Sequence, residues 1–214
     1  MKIDVLSDPV CPWCYIGKVR FEQALKSYSR DLGDIEFIWR IFQLNPDMPA
    51  EGMDRKTYLE RKFGGPEGAQ QVYGNIQKAG AEVGINFNFD AIKTTPNTLK
   101  AHRLIRLATT EGKGQEVKDL MFKAYFEDGL DIGNTNELAF IAHQCGMDRD
   151  KVTAFLMGND FAQELMQEDQ AARQAGVTGV PFFIIDDKYV LSGAQPAEAF
   201  HKIFDLALTA NQGS

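Results

Sequence analysis

The chain has 214 residues, of which 44% are apolar, and its formal net charge is −7. This length and this apolar share predict one large domain, or a core domain that carries a second one, and they argue against a disordered chain. The acidic balance argues against a nucleic-acid-binding surface, and no apolar run approaches the roughly 18 residues of a membrane-spanning helix.

The N-terminal residues lack the pattern of a signal peptide, because Asp4 and Asp8 interrupt any apolar segment there. We therefore expect a cytoplasmic protein. Three cysteines are too few for a disulfide scaffold in a chain of this length. In a reducing compartment, a close pair of cysteines is more often catalytic or metal-binding than structural.

The first forty or so residues predict a strand, a long helix and a second strand. Residues 2–7 contain a short apolar run, and residues 13–30 place apolar side chains on one side of a helix. Residues 35–42 are rich in β-branched and aromatic side chains, which predicts a mostly buried strand. A strand, a helix and a strand in this order predict two parallel, neighbouring strands.

From residue 45 onwards the pattern is helical, with glycine or asparagine in the connections and no convincing strand. The predicted helices cover residues 56–63, 67–83, 98–110, 114–126, 135–145, 149–156 and 161–175.

The end of the chain returns to strands. Residues 182–185 and 189–192 predict an antiparallel hairpin, and a final helix follows to about residue 209, before a frayed tail at residues 210–214. The two ends of the chain should share one mixed sheet, in an α/β fold of the order βαβ…ββα with a large all-helical insertion. The predicted boundaries are residues 1–44 and 161–214 for the two parts of the sheet domain, and residues 45–160 for the insertion.

Cys11, Pro12, Trp13 and Cys14 lie at the junction of the first strand and the first helix. Two cysteines with this spacing in this context are typical of a thioredoxin-like redox site. The unpaired N–H groups and the positive end of a helix dipole favour a thiolate over a thiol. We therefore expect Cys11 to be an exposed attacking thiolate, and Cys14, one turn further on, to resolve the mixed disulfide.

Half of a zinc site is the alternative for this cysteine pair, because tetrahedral zinc needs four ligands, or three and a water. The other possible sulfur and imidazole ligands form no second close pair, which favours redox chemistry and no bound metal. They are Cys145, His102, His143 and His201.

The Cys11–Cys14 motif, the helical insertion, residues 96–104 and the late residues 179–182 together resemble the DsbA family of thioredoxin-like proteins. More narrowly, the chain resembles the FrnE-like branch, which is similar to kappa-class glutathione transferases and 2-hydroxychromene-2-carboxylate isomerases. The resemblance implies a thiol–disulfide oxidoreductase that acts on protein or small-thiol disulfides. It also implies glutathione or a thioredoxin-type reductant as the redox partner, no tightly bound cofactor, and a homodimer.

Two departures from the family pattern limit what the resemblance carries over. The transferase and isomerase relatives have serine at the position of Cys11, so their chemistry does not transfer directly. Some FrnE-like proteins have a further cysteine pair near the C-terminus, whereas the last cysteine here is Cys145. A relay through a second disulfide is therefore not expected.

The resemblance also implies roles for residues outside the cysteines. Pro181 matches a proline whose cis peptide bond lies beside the active cysteines, which leaves the Val180 backbone to pair with an extended substrate. The alternative is a trans proline at the start of a strand. Pro12 and Trp13 should tune the redox potential, or Trp13 could serve only as an apolar lid.

Four further residues have a structural interpretation beside the functional one. Ser192 and Gly193 precede the last helix, where backbone N–H groups can hold a carboxylate such as that of glutathione, or they form a plain loop. Asn97 is more simply an N-cap for the helix that starts at Thr98. His102 either faces the cysteines or is a hydrogen-bonded helix histidine.

Two other functions stay open on the sequence. A glutathione-dependent transferase or isomerase would use Cys11 only to hold or polarise the glutathione sulfur, and its activity would survive the loss of Cys14. A redox-gated, chaperone-like binding protein would hold unfolded chains on the helical insertion, and would not need Cys11 to suppress aggregation.

Overall fold

The computed structural model describes residues 1–212. Its sheet domain is built from both ends of the chain. Gly213 and Ser214, which belong to the predicted frayed tail, lie outside the described residues, and the last helix continues past residue 209. The elements of this half are β1 (Lys2–Ser7), α1 (Pro12–Ser27), β2 (Glu36–Ile41), β5 (Phe182–Ile185), β6 (Tyr189–Ser192) and α9 (Ala197–Gln212).

The four strands form one mixed sheet in the order β2-β1-β5-β6. Val5 in the centre of β1 pairs with Trp39 of the parallel β2 and with Phe183 of the antiparallel β5. The parallel first pair and the late hairpin are both confirmed. The long crossover between β2 and β5 therefore places the N-terminal strand at the centre of the sheet, between partners distant in sequence.

The prediction that the second strand is mostly buried is wrong. In β2 only Ile41 is buried, Glu36 is exposed, and the other residues are half-buried. The physical reason is its position at the edge of the sheet, where no further strand covers its outer side. Its aromatic and β-branched composition reflects packing on the sheet faces rather than complete burial.

Helices α1 and α9 pack together on one face of the sheet. Their shared core consists of phenylalanines that contact one another edge-on or tilted. Each fully buried phenylalanine stabilises the fold by about 1.5–3 kcal/mol relative to an exposed one. The rings are those of Phe21, Phe183, Phe200 and Phe204.

The segment between the two halves is helical as predicted, and each helix begins and ends within two residues of its predicted bounds. Asn134 and Asp148 accept hydrogen bonds from the first N–H groups of the sixth and seventh helices, which explains where these helices begin. The helices are α2 (Arg55–Phe63), α3 (Pro66–Ala81), α4 (Leu99–Thr110), α5 (Gly114–Phe126), α6 (Thr135–Gln144), α7 (Arg149–Met157) and α8 (Ala162–Gln174).

The expectation that this segment contains no strand is wrong. Two-residue strands β3 (Met53–Asp54) and β4 (Thr94–Thr95) pair antiparallel and join the starts of α2 and α4. Such short strands leave no periodic pattern, and long-range contacts rather than local propensity form them.

One large apolar cluster fills the helical segment and includes Cys11 and Cys14. The insertion therefore lies over the end of the sheet where the first helix begins. The α/β thioredoxin-like fold with a helical insertion is confirmed, while the boundaries at residues 44/45 and 160/161 stay a prediction. Within residues 1–212, no helix is both long and apolar enough to cross a membrane.

Candidate active site

The cysteine pair lies at the N-terminus of α1. Cys11 is the N-cap residue, with extended backbone angles, and Pro12 occupies the first turn, where a missing N–H costs nothing. The backbone N–H of Cys11 donates to the Asp8 carbonyl at 3.0 Å, and that of Cys14 donates to the Cys11 carbonyl at 3.0 Å. This tight turn places both cysteines side by side at the helix end.

The expectation of an exposed Cys11 thiolate is wrong for this structure. Cys11 is only 3% exposed and Cys14 only 1%. Burial raises the pKa of the Cys11 thiol well above its ordinary value, and the adjacent Cys14 thiol raises it further. The backbone N–H of Cys14 lowers the pKa of Cys11, as expected at a helix N-terminus, but burial and the Cys14 thiol outweigh this effect.

The Val180–Pro181 peptide bond is cis, which confirms that prediction. The Cys11 thiol lies 3.5 Å from the Val180 carbonyl and donates to it. The carbonyl of Pro181 accepts from the N–H of Gly193 at 2.8 Å. A loop from the far end of the chain therefore covers the attacking sulfur.

Gly17 lies beside the cysteine pair and was not predicted as a site residue. It lies on the buried side of α1, and a Cβ atom there would be 2.8 Å from Cγ of Pro181 and 3.4 Å from Ala194. Only a residue without a side chain allows the proline loop to approach the helix so closely. The signal in the sequence, a glycine inside a helical pattern, is consistent with such an approach.

Three buried titratable groups lie behind the pair. Asp8 is fully buried, and its Oδ2 accepts from the Leu44 N–H at 2.7 Å, while its Oδ1 has no hydrogen-bond partner in the described part of the chain. His102 is 5% exposed, with Nε2 at 3.5 Å from that free Oδ1. Lys118 is 1% exposed, and its Nζ lies 4.9 Å from the ring centres of Trp39 and Phe122.

Among the described residues, His102 Nε2 has no hydrogen-bond partner, and its polar neighbour is Asp8 Oδ1 at 3.5 Å, so a role of His102 in binding stays a prediction. Burial lowers the pKa of His102, and the nearby Asp8 carboxyl opposes that shift. The side chain therefore faces the carboxylate next to the cysteine motif. Asp8 therefore contacts both sides: its side chain lies next to His102, and its backbone carbonyl accepts from the Cys11 N–H.

A cavity of about 250 Å³ opens directly beside Cys11. Pro12, Trp13 and Val180 contribute to its wall, and Trp13 is 38% exposed. Most of the remaining wall comes from the helical segment, and its apolar part includes Val72, Ile76, Phe89 and Phe126. A molecule in this cavity would therefore lie beside Cys11.

Several polar residues of this cavity come from helices α2 and α3 and strand β4 of the insertion. Arg55 donates to the Tyr73 hydroxyl and to Thr95 Oγ1, at 2.5 and 3.0 Å. The Tyr58 hydroxyl accepts from Lys62 at 2.6 Å. These residues follow no motif, and only the fold brings them to Cys11. No pattern in the sequence therefore points to them.

Three predicted binding residues have other contacts. Asn97 donates to the Met48 carbonyl at 2.7 Å and accepts from the Leu99 N–H at 2.9 Å, although the N-cap position itself is Thr98. Ser192 is exposed, and the Gly193 N–H already donates to Pro181. None of the three is among the residues that line the Cys11 cavity.

No group of three or more His, Cys, Asp or Glu side chains within residues 1–212 is arranged to hold a metal ion. Cys145, the remaining cysteine, is 8% exposed at the end of α6, as expected for a small buried apolar residue.

A four-stranded mixed sheet, a dithiol at the N-terminus of its first helix and a cis proline beside it define a protein of the thioredoxin-fold class. The chain belongs to the DsbA-like thioredoxin domain family, whose model matches residues 2–205.

Three known proteins illustrate the similarity. The chain is 30% identical over 201 residues to the uncharacterized protein YwbO of Bacillus subtilis, with 94% of each chain covered. It is 32% identical to a probable DsbA oxidoreductase from Streptomyces coelicolor, with a TM-score of 0.87 over 98% of this chain and 90% of the other. The cytosolic disulfide reductase DsbM of Pseudomonas aeruginosa, in a structure with glutathione, is 15% identical, with a TM-score of 0.62 over 98% and 100%. The family and the Streptomyces structure support thiol–disulfide oxidoreductase chemistry in general.

Proposed function

We propose that this protein is a dithiol–disulfide oxidoreductase in which Cys11 exchanges with the substrate and Cys14 resolves the intermediate. The observation that carries the proposal is the placement of the pair at the start of α1, with Cys11 at the N-cap, Cys14 buried in the first turn, and Cys11 alone of the two lining an open cavity. A buried second thiol one helical turn from the first is the arrangement from which an intramolecular disulfide forms.

The chemistry follows from thiol–disulfide exchange. In the reducing direction, the Cys11 thiolate attacks one sulfur of a substrate disulfide, and the other sulfur leaves as a thiolate. Cys14, as a thiolate, then attacks Cys11 Sγ and releases the second substrate thiolate. Two electrons pass from the protein to the substrate, and the oxidising direction reverses each step.

The first test is a redox titration of the purified protein against glutathione buffers, with thiol alkylation and mass measurement. We expect a reversible mass change of about two protons with a defined midpoint, since forming one disulfide removes two thiol hydrogens. The Cys145→Ser variant is the matched control and should keep the same midpoint. The Cys14→Ser variant should instead accumulate a glutathione adduct on Cys11.

A different outcome would overturn the proposal. If the wild type formed no intramolecular disulfide and a stable glutathione adduct on Cys11 predominated, the kappa-class type of transferase or isomerase chemistry would replace it. If aggregation of a client protein were suppressed equally by Cys11→Ser and by wild type, without any redox couple, the chaperone-like function would replace it.

As partners we propose small thiols, glutathione among them, and proteins with accessible disulfides. The DsbM structure with glutathione supports this choice, although at 15% identity it shows a shared fold alone. Membership of the FrnE-like branch, a cytoplasmic location, a homodimer and the absence of a tightly bound cofactor are proposed on the sequence resemblance. Light scattering of the purified protein tests the homodimer.

A further inference from the structure

Two buried polar atoms in the wall of the Cys11 cavity have no hydrogen-bond partner within residues 1–212. They are the hydroxyl of Tyr125 and Nε of Arg55. Tyr125 is only 1% exposed, so its side chain is shielded from bulk solvent. An unpaired buried hydroxyl or guanidinium N–H costs free energy, which makes both groups candidates for binding something in the cavity.

The Arg55 side chain is held in place by its other nitrogens. One Nη donates to Thr95 Oγ1 and the other to the Tyr73 hydroxyl. The guanidinium carries a positive charge, and its Nε–H has no acceptor among the described residues. A side chain fixed in this way loses little further entropy when it binds a ligand.

The composition of the wall indicates the ligand's chemistry. Arg55 and Lys62 are cationic, and none of the described residues that line the cavity is acidic. Most of the remaining lining is aliphatic or aromatic. A carboxylate accepts hydrogen bonds from both an arginine and a tyrosine, and such charge-assisted bonds are among the strongest in proteins. The rest of the ligand must be apolar to fill the space around Val72 and Phe89.

We propose that the cavity selects low-molecular-weight disulfides that carry a carboxylate on an apolar body, with the carboxylate bound by Arg55 and Tyr125 and the disulfide facing Cys11. This inference rests on the proposed function and narrows its substrate class. Such a disulfide is reduced to two thiols while the Cys11–Cys14 pair is oxidised to one disulfide, so that atoms and electrons balance.

The test compares two disulfide probes on the reduced protein, in a Cys145→Ser background so that only the pair reacts. One probe is 5,5′-dithiobis(2-nitrobenzoate), an aromatic disulfide with carboxylates. The other is 4,4′-dithiodipyridine, which is aromatic and uncharged at pH 7. Stopped-flow absorbance gives the second-order rate constant for each probe. The rate constant for the carboxylate probe divided by that for the uncharged probe measures the selection for a carboxylate.

The variants remove one interaction at a time. Tyr125→Phe deletes only an unpaired hydroxyl, so it should fold normally and lower the rate ratio by about tenfold. Arg55→Gln removes the charge and should lower the ratio by at least as much, and Arg55→Lys should restore it only in part. Arg61→Gln is the control for net charge, because Arg61 lies on the exposed surface of the same helix as Arg55. This variant should leave the ratio close to that of the wild type.

The outcomes separate the two proposals. If the wild type reacts with neither probe through the pair, the proposed oxidoreductase function is wrong. If it reacts with both and Tyr125→Phe and Arg55→Gln leave the ratio unchanged, or slow both probes equally, the oxidoreductase function stands and the carboxylate site is wrong.

Discussion

At the scale of single residues, Lys118 is a cation enclosed by aromatic rings beside two thiols. Burial lowers the pKa of Lys118 to about 8, against the charges of Cys14, Asp8, Cys11 and Asp119, which raise it. Its ammonium group therefore keeps a proton at neutral pH at a cost in folding free energy. A positive charge here favours any thiolate that forms on Cys14 during exchange.

We expect Lys118→Met to raise the free energy of unfolding at pH 7 by about 2 kcal/mol. A depression of the pKa from 10.5 to about 8 corresponds to roughly 3 kcal/mol, and the lost contacts with Trp39 and Phe122 offset part of it. Between pH 8 and 10.5 the unfolded lysine binds a proton that the folded one has lost. The free energy of unfolding of the wild type therefore rises with pH in this range. The difference in unfolding free energy between the wild type and Lys118→Met becomes smaller.

Urea unfolding from pH 7 to pH 10.5 measures this difference. Lys123→Met, an exposed lysine of the same helix, provides the baseline. A stability difference between wild type and Lys118→Met that stays constant over this range would contradict the buried-cation interpretation. Slower resolution by Cys14 in Lys118→Met would link the charge to the exchange step.

Cys11, Cys14 and Pro181 could be predicted because short local motifs mark them, whereas Arg55 and Tyr125 could not. These two come from separate helices and have no pattern of their own. The protonation of Cys11 was also not predictable. The helix N-terminus is a local effect, but burial depends on Val180 and on the insertion.

At the scale of elements, the contact between α1 and the loop before β5 depends on Gly17. An alanine Cβ at this position would meet the ring of Pro181, which has no flexible end that could move aside. The helix and the loop would have to separate, and the Val180 carbonyl would move with them.

We therefore expect Gly17→Ala to destabilise the protein by about 1–3 kcal/mol, the usual cost of overpacking. Gly74→Ala is the matched control, because it also lies within a helix and its added Cβ would meet nothing within 4 Å. That control should stabilise the protein by about 0.5–1 kcal/mol. Equal unfolding midpoints for the two variants would show that α1 and Pro181 are not in close contact.

Helix α8 is attached to the end of β2 by a buried carboxylate. Asp169 Oδ1 accepts from the Gln43 N–H at 2.8 Å, and Oδ2 accepts from Arg173 Nε at 2.8 Å. Because the next residue, Leu44, donates to Asp8, the exit of the chain from the sheet is held by two carboxylates. Neither role could be predicted, since the partners are far apart in sequence.

Asp169→Ala should lower the free energy of unfolding by about 2–3 kcal/mol, because it leaves a buried backbone N–H unpaired and removes a charged hydrogen bond. Thermal and urea unfolding test this expectation. Gln170→Ala, an exposed neighbour on the same helix, should change stability far less. A similar loss in both variants would assign the effect to helix propensity instead.

At the scale of the whole molecule, the type and order of the helices and strands were predictable, whereas which elements lie next to one another was not. Helical periodicity and capping residues are local, so the helix bounds agree closely with expectation. The edge position of β2 and the β3–β4 pair depend on which segments meet, which no short window of sequence contains. The cavity beside Cys11 belongs to this second kind of property.

The carbonyl that covers Cys11 belongs to a residue 169 positions further along the chain. A ribosome needs about 10 to 30 s to add that many residues. Throughout this interval β1 has no β5 beside it, and the Val180 carbonyl is not yet there to accept from the Cys11 thiol. A newly made molecule therefore acquires this part of the cover over Cys11 only when nearly the whole chain has been synthesised.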